Sequence, residues 1–246
     1  MRFVGVIPAR YKSTRLPRKA LIKIAGKPLI QWVYDRACKA VCLDDLVVAT
    51  DDFRILKTVQ EFGGKAVMTR GDHASGTDRV AELADSIEAD VFVNIQGDQP
   101  LIAPQIIENV CKPFESDSNL QVSTARINIT DENQINSPNV VKVVVNSQGY
   151  ALYFSRSTIP CADRKEAVFY KHLGIYAYRR NFLQSLSELK PSELEKVEGL
   201  EQLRFLENGI SIRVIEVFDE SPHVDTQEDV SRVTPLLENS EKELEA

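Results

Sequence analysis

The sequence predicts an α/β protein with a mostly parallel sheet. Three observations carry that reading. Short apolar runs alternate with helix-length amphipathic stretches through the first half of the chain. The runs are almost wholly apolar, as strands covered on both faces are. Polar loops separate each run from the helix after it, the pattern of right-handed strand–helix–strand crossovers.

The run 3–7 reads as the first strand and stops at Pro8. A helix is expected over 28–40, where Leu29, Ile30, Val33 and Ala37 share one face and Pro28 suits the first turn. Strand 46–49 follows, then a helix over 52–62 ended by Gly63-Gly64. Strand 66–68, helix 77–88, strand 91–95 and helix 104–114 complete this half. Ligands of such sheets bind beyond the carboxyl ends of the strands. The loops 8–19, 69–76 and 96–103 are therefore expected to share one crevice.

The second half is less regular. Strands are expected over 121–128, 140–146, 151–155 and 173–178, with a turn at Asn146-Ser147-Gln148-Gly149. This reads as an antiparallel insertion. A helix over 200–208 is capped by Gly209, a strand covers 210–217, and a terminal helix covers 225–237. The tail 238–246 is charged and expected to fray. No repeat or linker splits the chain, so 1–246 is read as one domain with halves 1–120 and 121–246.

Composition narrows the function. The 246 residues are 43% hydrophobic and 27% charged, ordinary for a globular protein. No run is long enough to cross a membrane, and the N-terminal apolar run is too short for a signal peptide. Cys38, Cys42, Cys111 and Cys161 show no zinc spacing, which fits thiols in a reducing cytoplasm. The net charge is -6, yet Arg2, Arg10, Lys12, Arg15, Arg18, Lys19, Lys23 and Lys27 all precede the first acid, Asp35. An acidic protein with a basic opening suits a small polyanion bound near its N-terminus, not a nucleic acid.

Three segments carry chemistry. Pro8 to Lys19 follows a strand and joins cations to the hydroxyls of Ser13 and Thr14. It suits a triphosphate held by backbone N–H groups and charge-assisted contacts, or else is a solvated basic loop. It is neither a Walker loop nor a dinucleotide fingerprint, because the required glycine patterns are missing. Gln96-Gly97-Asp98-Gln99-Pro100 places an acid at a strand's carboxyl end, where Asp98 suits Mg²⁺ or caps the next helix. In His223-Val224-Asp225-Thr226-Gln227-Glu228-Asp229, Asp225 is a second metal candidate or, with Glu228, a capping box. His73 and His223 are read as surface loop residues. Trp32, Tyr153 and Phe154 are read as core.

The opening Ile7-Pro8-Ala9-Arg10-Tyr11-Lys12-Ser13-Thr14-Arg15-Leu16-Pro17-Arg18-Lys19 resembles that of the CMP-3-deoxy-manno-octulosonate (CMP-Kdo) synthetases. So do Ser75-Gly76-Thr77-Asp78-Arg79, Asn94-Ile95-Gln96-Gly97-Asp98, Ala151-Leu152-Tyr153-Phe154-Ser155-Arg156, His172-Leu173-Gly174-Ile175-Tyr176, Leu200-Glu201-Gln202-Leu203-Arg204 and Val224-Asp225-Thr226. They follow the family's order across nearly the whole chain. The resemblance implies a Rossmann-like nucleotide-diphosphosugar transferase fold, with nucleotide bound by the first half and sugar and dimer contacts in the second. It also implies a homodimer that couples CTP to an acidic octulosonate, Kdo or its 8-amino variant, for lipopolysaccharide biosynthesis.

By the same resemblance, Ala9, Arg10, Arg15 and Lys19 hold the triphosphate side of CTP, and Ser75, Gly76 and Thr77 lie beside the cytidine. Asp98 and Asp225 hold Mg²⁺ and, with Lys19 and Arg15, are the catalytic set. Gln96, Arg156, His172, Tyr176, Glu201 and Gln202 line the sugar pocket. Gln99 stands where the family usually has Glu, Arg18 and Ala20 replace a usual Gly and Pro, and Gln227 replaces a usual Pro. The rival readings are a CMP-sialic acid synthetase, which shares the basic loop and metal acids, and a non-catalytic nucleotide-binding module.

Overall fold

The computed structural model describes residues 1–13, 15–73 and 75–245, except for the side chains of 241–245. The chain divides into two compact units, Met1–Glu108 with Glu220–Ala246, and Asn109–Asp219.

The first unit alternates strand and helix. Its elements are β1 (Phe3–Ala9), β2 (Lys23–Ile24), β3 (Lys27–Pro28), α1 (Leu29–Ala37), β4 (Asp45–Thr50), α2 (Phe53–Glu61), β5 (Ala66–Met68), α3 (Gly76–Ser86) and β6 (Val91–Asn94), followed by α4 (Pro104–Cys111). The strands lie in the order β6-β1-β4-β5 and all run parallel. Val4, Val6 and Ile7 of β1 are sealed from solvent, as are Val91, Phe92 and Val93 of β6. That accounts for their unbroken apolar sequence. Gly63, at φ +83°, ends α2 in the left-handed conformation that glycine adopts without steric cost. The hairpin β2–β3 carries no sequence signal, because two-residue strands are shorter than any periodic window.

The second unit holds α5 (Pro113–Ser116), β7 (Val122–Ile129), α6 (Glu132–Asn136), β8 (Lys142–Val145), β9 (Ala151–Ser155), β10 (Phe169–Arg179), α7 (Arg180–Ser185), α8 (Glu193–Glu198), α9 (Gln202–Glu207) and β11 (Ile212–Val217). Here β7 pairs antiparallel with β10 and parallel with β11, while β8 pairs antiparallel with β9 and β10. The antiparallel strands are as the pattern predicts. Strand β10 is longer than the expected 173–178, because a bulge between Leu173 and Tyr176 lets it bend and continue. Helices α6, α7 and α8 span five or six residues each, too few to show a helical period.

One buried cation organises this unit. Lys142 is sealed from solvent, and its Nζ donates to the carbonyls of Ser137, Val140 and Arg156 at 2.9, 2.7 and 2.6 Å. All three ammonium hydrogens are used, so the charge is solvated by backbone. Lys142→Met removes that donor from all three, leaving the Ser137 carbonyl only the Val140 N–H at 3.2 Å, and is expected to cost about 3 kcal/mol of stability. Urea unfolding checks this. An unchanged midpoint would mean that water replaces the ammonium.

The last helix, α10 (Gln227–Glu245), belongs to the first unit and runs past the expected end at 237. None of the described helices is long and apolar enough to cross a membrane.

Candidate active site

The winding of the first sheet reverses at β1, with β4 and β5 on one side and β6 on the other. Chains that leave β1 and β6 toward opposite faces open a crevice beyond their carboxyl ends. A cleft of about 250 Å³ lies there. The end of β1 contributes Pro8 and Ala9, and the loop after it Arg10, Ser13, Arg15 and Lys19. His73 and Ser75 precede α3, and Gly76 and Arg79 lie in its first turn. Gln96, Gly97 and Asp98 follow β6, and Asp225 precedes α10. The three loops expected to share a crevice do so. Gly97 permits the approach, since a Cβ there would sit 3.0 Å from the Pro8 carbonyl oxygen. Thr77 is buried in the first turn of α3 and is not part of the cleft wall. Thr14 lies outside the described residues.

The cleft floor is an ion network. Lys19 Nζ donates to Asp98 Oδ2 at 2.7 Å and to Asp225 Oδ1 at 2.9 Å. Arg15 reaches Asp225 Oδ2 at 2.9 Å from an otherwise exposed position. Two carboxylates more than a hundred residues apart thus converge on one ammonium. Burial acts to raise the Asp98 pKa, but the His223 hydrogen bond and the Lys19 charge outweigh it and hold that carboxyl at about 2. Burial likewise pulls the Lys19 amine down, and the charge and hydrogen bonds of Asp98 and Asp225 carry it above its ordinary value. Lys19 is therefore a fixed cation, not a nucleophile.

An apolar cluster holds these charges in place. Leu16, Ile24, Leu29, Trp32, Val224, Val230, Val233 and Leu237 pack together. Leu16 lies between Arg15 and Lys19 in sequence, and Val224 precedes Asp225. Each such side chain, fully buried, contributes about 1.5–3 kcal/mol. Trp32 Nε1–H is satisfied by the Ile24 carbonyl at 2.7 Å. Further out, the Arg54 guanidinium lies 3.4 Å from the centre of the Tyr11 ring and is clamped by Asp52 at 2.9 and 2.6 Å. The loop's cost is at Arg18, a non-glycine residue at φ 60°. A glycine would remove about 1–2 kcal/mol of strain there.

Helix capping differs from expectation in a useful way. The capping pair of α10 is Thr226 and Asp229, not Asp225 and Glu228. Asp229 Oδ2 accepts from Thr226 N at 2.9 Å, and Thr226 Oγ1 accepts from Asp229 N at 3.2 Å. Asp225 is thereby left to face the cleft. Ser75 and Asp78 form the capping box of α3, and Ser75 and Gly76 at this helix start line the cleft.

Of the two histidines read as surface loop residues, His73 is enclosed, whereas His223 lies in a loop with its side chain 38% exposed. His73 is nearly sealed and pairs with Glu82. His223 bonds Asp98 and Gln99. Arg79 is a further cleft residue without a sequence-assigned role. Its buried guanidinium is fixed by Asp51 at 3.1 Å, by the Arg70 carbonyl at 3.2 Å and by Thr69. The signal for it is helical spacing, one turn beyond Ser75.

Of the six sugar-pocket candidates, Gln96 lies in this cleft and the others belong to the second unit. There the His172 and Tyr176 rings meet at a tilt of 56° with ring centres 5.4 Å apart, and His172 Nε2 lies 3.0 Å from Thr124 Oγ1. Burial, then the charge of Glu201, pushes the Tyr176 phenol well above its ordinary range. Gln202 is buried beside Glu201 in sequence. Arg156 is held differently. Its Nε donates to the Glu198 carbonyl at 2.7 Å and its Nη1 to that of Pro138 at 3.0 Å. Phe154 and Trp32 are core, as expected, whereas Tyr153 is half-buried.

Enclosure among Phe154, Tyr176 and Thr124 pulls the His172 pKa down to about 3. An unfolded chain takes up that proton near pH ~6.5. Between those values the unfolded state binds more protons, so stability is lost as pH falls through the window. His172→Gln is expected to flatten the acid limb by at most ~1.4 kcal/mol per pH unit. Urea midpoints at about pH 7 and about pH 5 check this, and equal slopes for the two proteins would contradict it.

The profile of the family described as Cytidylyltransferase matches residues 4–212. The 3-deoxy-manno-octulosonate cytidylyltransferase of Geobacter metallireducens is 46% identical over 96% of this chain and 98% of its own length. That of Syntrophobacter fumaroxidans is 49% identical over 96% of this chain and 97% of its own. A solved CMP:2-keto-3-deoxy-manno-octonic acid synthetase complexed with CTP superposes with a TM-score of 0.95 at 47% identity, covering 98% of this chain and all of that one.

Proposed function

The chain belongs to the cytidylyltransferase family, and from that premise we infer that it is a 3-deoxy-manno-octulosonate cytidylyltransferase. It transfers CMP from CTP to the anomeric hydroxyl of the octulosonate and releases pyrophosphate. The observation that carries the site reading is the meeting of Asp98 and Asp225 on the single ammonium of Lys19.

That meeting bears on the metal. Two carboxylate oxygens within about 3 Å of one cation form a hard-oxygen donor set, which suits Mg²⁺. Among the described residues no group of three or more His, Cys, Asp or Glu could complete a protein-only cage. A site of two acids leaves room for substrate oxygens and water, as Mg²⁺ prefers. Asp98 and Asp225 are the residues that would hold it. When bound, Mg²⁺ supplies charge neutralisation between two anionic substrates and lowers the pKa of a hydroxyl it touches.

The remaining roles are electrostatic and positional. Lys19 and Arg15 neutralise phosphate charge and stabilise the departing pyrophosphate. Arg10 and the backbone at Ala9 flank the same phosphates. Ser75, Gly76 and Thr77 present the N-terminus of α3 to the nucleotide, and Gln96 faces it from the loop after β6. Tyr176, Glu201, Gln202, His172 and Arg156 are assigned to the sugar. No side chain becomes covalently attached, which agrees with a protonated Lys19. We assign the reaction to the cytoplasm, to a homodimer and to lipopolysaccharide biosynthesis.

A pyrophosphate-release assay with CTP, Mg²⁺ and a panel of sugars tests the reading. Turnover is expected with Kdo or its 8-amino form and not with sialic acid. Turnover with sialic acid alone would overturn it in favour of a sialic acid enzyme. Tight CTP binding without turnover on any sugar would indicate a nucleotide-binding module.

A further inference from the structure

Beside the ion network lies a second set of hydrogen bonds that none of the roles above uses. Gln99 is buried, at 4% exposure, immediately after Asp98. Its Nε2 lies 3.0 Å from His223 Nε2. The other ring nitrogen, His223 Nδ1, lies 3.3 Å from Asp98 Oδ1. The backbones are joined as well, since Val224 N donates to the Asp98 carbonyl at 2.9 Å.

The chemistry of the two ends fixes the ring between them. An ionised carboxylate only accepts, so Nδ1 carries a hydrogen. An amide nitrogen only donates, so Nε2 presents its lone pair. Both ends demand the same tautomer, and hydrogen bonding runs in one direction from Gln99 through His223 to Asp98. Asp98 Oδ1 is thereby occupied, which leaves Oδ2 as the oxygen turned to Lys19 and Asp225. The residue type at 99 matters. A carboxylate there would accept where the amide donates, and would call for a hydrogen on Nε2.

We propose that Gln99 and His223 are a positioning pair for the reaction, in which the amide of Gln99 selects the Nδ1–H tautomer of His223 and that tautomer fixes the orientation of Asp98. The proposal rests on the assignment of Asp98 to the metal and phosphate chemistry. It gives the buried amide of Gln99 a specific task. Partners of this kind, one bond removed from a metal ligand, typically change metal affinity or activity by about 10–100-fold when lost.

The test combines a spectroscopic signature with kinetics on the full-length protein. In ¹⁵N-histidine-labelled protein, the long-range ¹H–¹⁵N spectrum is expected to show His223 with hydrogen on Nδ1 and a bare Nε2. In Gln99→Glu the Nε2 is expected to gain a hydrogen. Gln99→Leu is expected to lower kcat about 10-fold and to raise the Mg²⁺ concentration needed for half-maximal rate. Its KM for CTP and its unfolding midpoint are expected to stay near the parent values. The double variant Gln99→Leu/His223→Phe should be no slower than His223→Phe alone, because the two residues act as one unit. A bare Nδ1 in the parent protein, or additive losses in the double variant, overturns the pair. If Asp98→Asn also keeps full turnover, the metal assignment itself falls. If Asp98→Asn is crippled while the pair shows no effect, only the pair falls.

Discussion

Asp98→Asn is expected to fold, to bind CTP and to turn over about 10³-fold more slowly than the parent at saturating Mg²⁺. The physical reason is specific to this carboxylate. One of its oxygens accepts from Lys19 and the other from His223. An amide keeps a single acceptor oxygen, so its nitrogen must confront one of those two donors. The full negative charge is lost as well. The fold is expected to survive, because the backbone bond from Val224 to residue 98 does not involve the side chain. Initial rates at saturating CTP and Mg²⁺, read beside an unfolding curve, decide the matter. Full turnover at saturating Mg²⁺ would remove Asp98 from the mechanism.

Lys19→Met is expected to have an effect of similar size, with kcat/KM for CTP falling about 10³-fold. Methionine fills the space but leaves Asp98 and Asp225 facing each other without their shared cation. Like charges at such separation repel, and the half-buried position weakens screening. The variant should therefore be less stable than the parent in metal-free buffer. It should recover stability when Mg²⁺ is added without nucleotide, since a cation that binds only the folded state stabilises it by mass action. The parent, with Lys19 already in place, should respond less. A Lys19→Met protein with parental kinetics would reduce Lys19 to a structural prop.

The two units differed in how far their sequence could be read. In the first, the long elements from β1 to α4 follow from local pattern, because strands such as β1 and β6 are buried on both faces and read as solid apolar runs. The crevice could be placed from sequence, since loops beyond the carboxyl ends of parallel strands must share a side of the sheet. Local pattern could not bring Asp225 to that crevice. Its placement depends on Val224 and Val230 joining the cluster of Leu16 and Trp32, a contact between residues remote in sequence. The capping misassignment has the same origin. Thr226 and Asp225 are both good capping residues, and tertiary packing chose between them. His223 is a partly exposed loop residue, as its sequence indicates, but its bonds to Gln99 and Asp98 leave no local trace because those partners are far away in the chain. In the second unit the short helices and the bulge in β10 left little periodic trace, and the enclosure of His172 is a property of three strands and not of its neighbours in sequence.

The central claim is that Asp98 and Asp225 hold one divalent cation together while Lys19 and Arg15 turn to the triphosphate. The most direct measurement is the anomalous scattering from Mn²⁺ in crystals grown with CTP. A peak shared by the carboxylates of Asp98 and Asp225, with the Lys19 ammonium moved from between them onto phosphate oxygens, is the predicted result. A peak bound to phosphates alone, with Lys19 still bridging the two aspartates, would contradict the account.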